Sequence, residues 1–267
     1  MRFLDRRSGR LVYLAEPGRA DNWDRHWSGA HIEQLLQAGR NGWFVKQTKI
    51  HLPLGSLILE GGCGCADKVA ALHRAGYRVV GFDTAAQTLR RAHEIFPELA
   101  LAVADIRRLP LGDQSIDGYW SLGVFEHFFD GMESQWREAH RAMKDGGMLF
   151  LTLPIMSPIR RAKAALGLYS SGHSNDRSRF YQYVYRPEEI LGVAAHSGFQ
   201  LVRASYIDGI KGLKDEVPFV RPVLQNLYDS KNVLARICRR ILDPLIRSTC
   251  GHMAFFVFRK VEAKSRG

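Results

Sequence analysis

One stretch constrains this chain more than any other: a short apolar run that ends on a carboxylate and enters a glycine-rich turn. Leu57-Ile58-Leu59 is followed by Glu60 and then by Gly-Gly-Cys-Gly-Cys-Ala over 61–66. From Asp67 onward the pattern is typical of a helix start. A strand, a turn and a helix in this order expose bare backbone at the end of the strand, because glycine has no side chain that holds a ligand away. The stretch therefore predicts a site for a nucleotide-like ligand.

Beyond this stretch the chain alternates between strand and helix patterns. Strands are predicted over 56–60, 78–83, 99–105, 116–122 and 148–153, with helices over 68–75, 85–95 and 132–143. This alternation requires a parallel sheet with right-handed crossovers and with helices on its faces. Two later apolar segments, 201–206 and 253–258, predict a sixth and a last strand.

Three consecutive predicted strands end on a carboxylate: Glu60, Asp83 and Asp105. Ligands of such sheets lie at the carboxyl ends of the strands. Three carboxylates would repel a polyphosphate, whereas they accept hydrogen bonds from the hydroxyls and amines of a neutral or cationic nucleoside. A dinucleotide dehydrogenase is disfavoured as well, because Asp67 stands where the fingerprint of that class has a third glycine.

Four motifs, in their order and spacing, resemble those of the class I S-adenosylmethionine-dependent methyltransferases, and are closest to the quinone-biosynthesis-like small-molecule branch. They are ILEGGCGCA at 58, VVGFD at 79, ADIRRLPLGDQSIDGYWSLGVFEHF at 104 and MKDGGMLFLTLP at 143. The resemblance implies a Rossmann-like, seven-stranded mixed sheet. This sheet is mostly parallel, has an antiparallel last strand and carries helices on both faces.

We expect a single methyltransferase domain over 1–267, built from five consecutive parts. They are a helical N-terminal cap (1–50), a cofactor-binding core (51–154), an acceptor-side segment (155–210), a basic amphipathic helical insertion (211–250), and the last strand with its tail (251–267).

The resemblance implies S-adenosyl-L-methionine as the cofactor. It assigns to the cofactor a set of residues at the ends of the first four strands, namely Glu60, Gly62, Cys63, Gly64, Asp83, Thr84, Asp105, Ile106, Ser121, Leu122 and Gly123. By the resemblance, Asp83 takes both ribose hydroxyls, and Asp105 holds the adenine amine. The family usually has a third glycine where this chain has Ala66, and we expect the following helix to absorb the extra methyl group.

Methyl transfer from a sulfonium needs alignment, exclusion of water and, for some acceptors, removal of a proton. The leading candidate base is His127, just past the fourth strand, with a structural role at a helix start as the alternative. On the acceptor side, the candidates are His173, Tyr181 and Tyr183, each of which could equally be an ordinary loop or packing residue. No metal site is expected, because the cysteines lack metal-knuckle spacing.

The formal net charge is +11, and from Lys231 to the end nine lysines and arginines stand against two acids. Apolar pairs recur every four residues over 233–246 with arginines between them, which predicts a basic amphipathic helix interrupted at Pro244. Two interpretations compete. The apolar stripe packs on this domain or on a second subunit as a homodimer, or residues 231–247 lie on an anionic membrane surface.

The leading hypothesis is an S-adenosylmethionine-dependent methyltransferase that acts on an O, N or C atom of a small-molecule acceptor, such as a lipid-linked or secondary metabolite. The alternatives are a non-catalytic cofactor-binding protein of the same fold and an RNA methyltransferase. No specific nucleic acid is expected as a partner, because residues 121–124 lack the Asn/Asp-Pro-Pro-aromatic loop of enzymes that methylate base amines. Without a secretion signal or a spanning apolar run, we expect a cytoplasmic protein, peripherally membrane-associated under the second interpretation.

Overall fold

The computed structural model describes residues 1–16, 23–29, 31–38, 42–172, 177–230 and 232–262. The strands are β1 Arg2–Asp5, β2 Arg10–Leu14, β3 Leu57–Gly61, β4 Arg78–Asp83, β5 Ala100–Val103, β6 Ile116–Leu122, β7 Met143–Pro154, β8 Ser171–Gly172, β9 Phe180–Val184, β10 Phe199–Ile207 and β11 Met253–Lys260. The helices are α1 Trp23–Trp27, α2 Ile32–Ala38, α3 Gly42–His51, α4 Asp67–Arg74, α5 Ala86–Ile95, α6 Glu133–Ala142, α7 Pro158–Ala165, α8 Pro187–His196, α9 Gly209–Glu216, α10 Arg221–Asp229 and α11 Val233–Cys250.

Seven strands form the central sheet, in the order β10-β11-β7-β6-β3-β4-β5. β11 is antiparallel to β7 and β10, and the pairs among β3 to β7 are parallel. β7 and β11 are almost continuously buried, as expected of strands that are covered on both faces. The predicted Rossmann-like mixed sheet with an antiparallel last strand is confirmed.

Two hydrophobic clusters pack against the sheet. Neighbouring residues of β3 belong to different clusters, Leu59 with α6 and α8, and Ile58 with α3, α4 and α5. Because adjacent strand residues point to opposite faces, the helices cover both faces of the sheet. Trp120 of β6 stacks on Phe150 with ring centroids 4.3 Å apart, and its Nε1 donates to Thr48 Oγ1 of α3 at 3.1 Å.

A second, four-stranded sheet lies outside the core, in the order β8-β1-β2-β9. The prediction of a helical cap over residues 1–50 is therefore wrong for residues 2–14, although α1 to α3 are helical. β1 and β2 are short, and their apolar side chains become buried only against distant residues, as Phe3 and Val12 do against Phe180. A strand whose partner lies so far along the chain leaves little local pattern.

The insertion before β11 consists of α9, α10 and α11, and is helical as predicted. Pro244 does not interrupt α11 but lies inside it. Its position is exposed, so water can reach the Arg240 carbonyl that has no N–H partner four residues later. No helix among the described residues combines the length and the hydropathy needed to cross a bilayer.

A buried ionic cluster centred on Glu216, at the end of α9, joins the small sheet to the core. Glu216 accepts hydrogen bonds from Arg2 at 2.7 Å, Arg160 at 3.0 Å, Lys163 at 2.9 Å and Tyr169 at 2.7 Å. The side chains of Glu216 and Arg160 are both fully buried. Burial alone would raise the pKa of Glu216, but the Tyr169 hydroxyl and the Arg160 guanidinium lower it to about 2.

We expect Glu216→Gln to lower the free energy of unfolding at pH 7 by about 3 kcal/mol or more, because it leaves the buried Arg160 charge uncompensated. The folded-state pKa of about 2 lies below the ordinary value of 4.5. The wild-type carboxylate therefore stabilises the fold above pH 4.5, and this contribution disappears as the pH falls towards 2. Urea denaturation between pH 7 and pH 3 measures both effects.

Asp130→Asn is the matched control, since Asp130 pairs with Arg177 at the surface with both side chains about two-thirds exposed. It should change the free energy of unfolding by less than about 0.5 kcal/mol. Equal losses in the two variants would show that the buried cluster does not hold the small sheet to the core.

Candidate functional site

Backbone hydrogen bonds fasten the glycine-rich turn after β3 to the end of β4. The N–H groups of Gly62 and Cys63 both donate to the Phe82 carbonyl, at 2.8 and 3.0 Å. The Gly64 N–H donates to Asp83 Oδ2 at 2.7 Å. The Cys63 side chain is buried in the core cluster, so only its backbone lies at the turn.

The backbone of this turn requires glycine at two positions. Gly62 and Gly64 have φ angles of 78° and 49°, and a Cβ at these positions would collide with the side chains of Val124 and Trp27, respectively. Ala66 also has a positive φ, 60°, as the residue that precedes α4. Its methyl group is fully buried in the core cluster, so the turn keeps a left-handed backbone without a third glycine.

Two buried carboxylates, Glu60 and Asp83, lie at the carboxyl edge of the sheet. Asp83 Oδ1 accepts the Ala85 N–H at 2.8 Å, and each Asp83 oxygen keeps a second lone pair for a ligand hydroxyl. Glu60 Oε2 has no hydrogen-bond partner among the described residues. Burial raises the pKa of Glu60 well above its ordinary value, despite the nearby Lys68 charge. A donor group of a ligand would relieve the cost of this unpaired oxygen.

Asp105 differs from the other two carboxylates. It lies two residues beyond β5 and is bound by Arg107, whose Nε donates to Oδ2 at 2.9 Å. This hydrogen bond lowers the pKa of Asp105. A ligand amine at this position would share the carboxylate with Arg107. Next to these acids, Thr84 is exposed and Ile106 is buried.

The end of β6 forms the neighbouring wall of the site. Ser121 is fully buried, and its hydroxyl has no partner within the described part of the chain. Leu122 is half-buried. Gly123 has a φ of 67° and donates its N–H to the Thr152 carbonyl at 2.9 Å.

Helix α1 covers the edge of the sheet, a role that the sequence did not indicate. Asp24 accepts the Thr88 N–H at 2.8 Å and so caps α5. Trp27 lies over Gly64, and the ring of Trp23 is 4.8 Å from that of His127. The available signal was two tryptophans within five residues.

Glu126 and His127 follow β6 in a short turn. His127 Nδ1 lies 2.7 Å from the Tyr181 carbonyl. Because a carbonyl only accepts, this nitrogen carries the proton, which leaves the lone pair on Nε2. Burial lowers the pKa of His127 to about 4. Glu126, beside Gly123, is a candidate that the sequence analysis missed, although its place directly after a strand end was a signal. It is fully buried with an unpaired Oε2, and burial raises its pKa to about 8.

The acceptor-side candidates are separated by the structure. Tyr181 contacts the His127 ring with centroids 4.8 Å apart and lines a cavity of about 700 Å³. Tyr183 is not among the residues that line this cavity, and its hydroxyl donates to the Phe129 carbonyl at 3.1 Å. His173 lies outside the described residues.

The cavity lies between the small sheet, α9 and the start of β11, and its lining is predominantly cationic. Arg2, Lys211, Lys214 and Arg221 line it, against one carboxylate, Asp215. His252 lines it as well, and burial lowers the pKa of this imidazole to about 3, so that it is neutral. The volume of the cavity, about 700 Å³, falls within the range of small-molecule sites.

Together, these residues place two buried carboxylates, a glycine-rich turn and a cavity of about 700 Å³ at the carboxyl edge of a Rossmann-like sheet. Residues 59–151 match the family model described as a methyltransferase domain. This match spans the turn and the strands that carry the buried carboxylates. For residues 59–151, the predicted class of domain, a class I S-adenosylmethionine-dependent methyltransferase domain, is confirmed together with its cofactor. The match does not distinguish between the branches of that class.

Relatives support the same class over part of their length. The chain is 31% identical over 125 residues to a probable S-adenosylmethionine-dependent methyltransferase of Mycolicibacterium smegmatis, covering 44% of this chain and 47% of the relative. It is 31% identical over 121 residues to malonyl-acyl-carrier-protein O-methyltransferase of Hamiltonella defensa, covering 45% and 46%. The chain thus spans about half the length of these relatives. Another relative, from Bacillus subtilis, is named as a putative 23S rRNA methyltransferase. The names of the relatives therefore do not agree on one acceptor.

Solved structures show the same fold at low identity. An S-adenosylmethionine-dependent methyltransferase from Mesorhizobium loti superposes with a TM-score of 0.53 at 18% identity, covering 80% of this chain and 96% of that one. This similarity extends to most of the chain, beyond the segment that the family model matches.

We expect Ala66→Gly to change the free energy of unfolding by no more than about 1 kcal/mol, because relief of the left-handed backbone offsets the loss of a buried methyl and the added backbone entropy. Ala66→Val should lower it by about 2 kcal/mol or more, because a β-branched residue is poorly tolerated at positive φ. Thermal and urea denaturation of both variants test this. A well-tolerated valine would show that the turn does not hold its left-handed conformation in solution.

Proposed function

We propose that this protein transfers the methyl group of S-adenosylmethionine to a small-molecule acceptor. One observation carries the proposal. The buried carboxylates Glu60 and Asp83 share the carboxyl edge of the sheet with Glu126 and His127, and Tyr181 links His127 to the cavity. The resemblance of the motifs to the small-molecule branch points the same way.

Glu60 and Asp83 are the residues best suited to hold the cofactor. The unpaired oxygen of Glu60 would accept from its amino-acid or ribose end, and Asp83 would accept from the ribose hydroxyls with its remaining lone pairs. Ile106 offers a buried apolar contact for the base. The bound cofactor supplies an already activated methyl group, so the protein's tasks are to align the acceptor, to exclude water and to receive a proton.

Glu126 is better suited than His127 to receive that proton. A base works best when its pKa lies near the working pH, and the pKa of Glu126 is about 8, whereas that of His127 is about 4. Glu126 Oε2 is also free of partners among the described residues, while the His127 ring is fixed against Tyr181. We therefore assign proton acceptance to Glu126 and make His127 a positioning residue that holds β9 over the site.

The lining of the cavity favours an acceptor that carries a carboxylate or a phosphate. Lys211 and Lys214 share the single carboxylate Asp215, and Arg221 has no ion-pair partner among the residues that the structure describes. An anionic group of the acceptor would balance this excess of positive charge.

The two alternatives predict different outcomes of one assay series. A non-catalytic protein of this fold would bind S-adenosylmethionine in a calorimeter but release no S-adenosylhomocysteine with any acceptor. An RNA methyltransferase would turn over with RNA and not with small molecules. Turnover with members of a panel of phenolic, amine, carboxylate and phosphate compounds supports the proposal. Absence of cofactor binding contradicts it.

Glu60→Gln should weaken S-adenosylmethionine binding at least tenfold while leaving the free energy of unfolding nearly unchanged. The amide keeps the shape of the side chain but loses one acceptor oxygen and the ability to become a carboxylate opposite a cationic ligand. Isothermal titration calorimetry gives the Kd. Glu94→Gln, on the exposed face of α5, is the control and should bind like the wild type. Equal affinity of both variants would remove Glu60 from the cofactor site.

Glu126→Gln should remove a pH dependence of both stability and turnover. The folded-state pKa of about 8 lies above the ordinary 4.5, so the free energy of unfolding falls as the pH rises between these values. Turnover with an acceptor that must lose a proton rises through about pH 8, because the deprotonated carboxylate is the active form. Denaturation and S-adenosylhomocysteine release from pH 5 to pH 9 measure the two slopes. Unchanged slopes in the variant would contradict the assignment.

A further inference from the structure

Helix α11 turns its apolar side away from the protein. Most residues that face inward along it are small or polar, such as Arg239 and Asp243, and Ile246 lies against Gly209 of α9. The last residue of the helix, Cys250, is buried. Asp243 Oδ1 accepts the Ile210 N–H of α9 at 3.0 Å. α9 approaches so closely that a Cβ at Gly212 would collide with the Cys250 carbonyl. The helix is therefore attached to the domain by a side that is mainly polar or small, with Ile246 as its large apolar contact.

The opposite side of the helix is apolar and exposed, and the adjoining α10 segment exposes two further apolar residues. We call these residues together the outer apolar face. Most large apolar residues of α11 are between 49% and 70% exposed, and Phe219 and Val223 before and within α10 are 83% and 71% exposed. The outer apolar face consists of Phe219, Val223, Val233, Leu234, Ile237, Ile241 and Leu245. An amphipathic helix normally turns such a stripe towards the core. An apolar surface of this extent marks an interaction site.

A row of arginines borders the outer apolar face. Arg236, Arg240 and Arg247 are exposed and lie at helical spacing along one edge of the stripe. No acid stands among them, since Asp243, the one acid of α11, is turned inward. Arg239 has a different role, because it donates to the Tyr228 and Ser230 carbonyls and so ties α10 to α11.

These charges distinguish between the occupants that could cover the face. The outer apolar face does not pack on this domain. This excludes the interpretation of the sequence in which the apolar stripe packs on the domain itself, and leaves a second subunit or a membrane. A second copy in a symmetric dimer would present the same face, and with it an equal row of arginines and no exposed acid of α11. An anionic bilayer complements both features, because it buries apolar side chains below headgroups that attract arginine.

We propose that α10 and α11 form an interfacial anchor that lies on an anionic membrane surface, with the outer apolar face below the headgroups and the arginine row among them. Lys231, at the start of the predicted membrane-binding stretch, lies outside the described residues. The anchor needs neither the cofactor nor the acceptor site, so it can be tested separately from the proposed activity.

Vesicle co-sedimentation of the full chain tests the proposal directly. We expect at least tenfold stronger binding to vesicles of phosphatidylcholine with 30% phosphatidylglycerol than to pure phosphatidylcholine, and weaker binding at high salt. Ile237→Gln/Ile241→Gln should reduce binding to the anionic vesicles at least tenfold. Arg236→Ala/Arg240→Ala should reduce it by about fivefold per arginine.

The matched control is Ile50→Gln/Leu54→Gln, which changes two equally exposed apolar residues, one at the end of α3 and one just after it, and should bind vesicles like the wild type. All three variants should keep the helical circular dichroism spectrum and the S-adenosylmethionine affinity of the wild type, since the substituted side chains are exposed. This comparison separates a failure of the anchor from a failure of the cofactor site.

A second measurement needs no change to the apolar face. Cys238 lies on the exposed side of α11, whereas the other three cysteines are buried. An environment-sensitive fluorophore on Cys238 should therefore shift to the blue with anionic vesicles and not with neutral ones. Absence of both the shift and the co-sedimentation overturns the proposal. A protein that dimerises in analytical ultracentrifugation, and loses dimerisation in Ile237→Gln/Ile241→Gln, would also overturn it and make the face a self-interface.

Discussion

The carboxylate of Asp83 is the interaction on which this site depends. It accepts the N–H of Gly64 at 2.7 Å and that of Ala85 at 2.8 Å, and so joins the turn after β3 to the start of α5. In the turn closed in this way, Gly62, Gly64 and Ala66 all have positive φ angles. α1 is then held in place, since Asp24 caps the same helix. One side chain thus supports the fold and still has lone pairs for a ligand.

The cavity is assembled from parts of the chain that are far apart in sequence. The cavity is lined by Arg2 from the N-terminal hairpin, Tyr181 from β9, Lys214 from α9 and His252 before β11. The buried Glu216 cluster joins three of these parts, because Glu216 of α9 accepts from Arg2 and from Arg160, and Arg160 donates to the His252 carbonyl. The cavity therefore depends on a network of charges that is largely removed from solvent. Removal of one partner from such a network is costly, because it leaves the other charge buried and unpaired.

Much of the core and of the cofactor side could be predicted from the sequence, because their signals are local. An apolar run followed by glycines, as over 57–66, predicts a strand and a turn without any information about the rest of the fold. The pairing of β1 with β8 and of β2 with β9 could not be predicted. The cover formed by Trp27 and the engagement of Asp105 by Arg107 could not be predicted either. The strand pairing and the tryptophan cover are contacts between residues that are far apart in sequence. The Asp105–Arg107 ion pair is one of several pairs that the charged residues nearby could form. Glu126 was missed for the same reason, since its burial depends on the elements around it.

Helix α11 shows most clearly what the sequence determines and what only the tertiary structure determines. The sequence by itself determined that 233–246 is helical, amphipathic and basic, because periodicity and charge are properties of consecutive residues. The predicted interruption at Pro244 is absent from the structure. Only the tertiary structure decided which side faces the protein. Gly209 and Gly212 of α9 leave room for close backbone contact with α11, and Asp243 bonds to the start of α9. These contacts attach the polar side inward, so that the apolar stripe is turned outward.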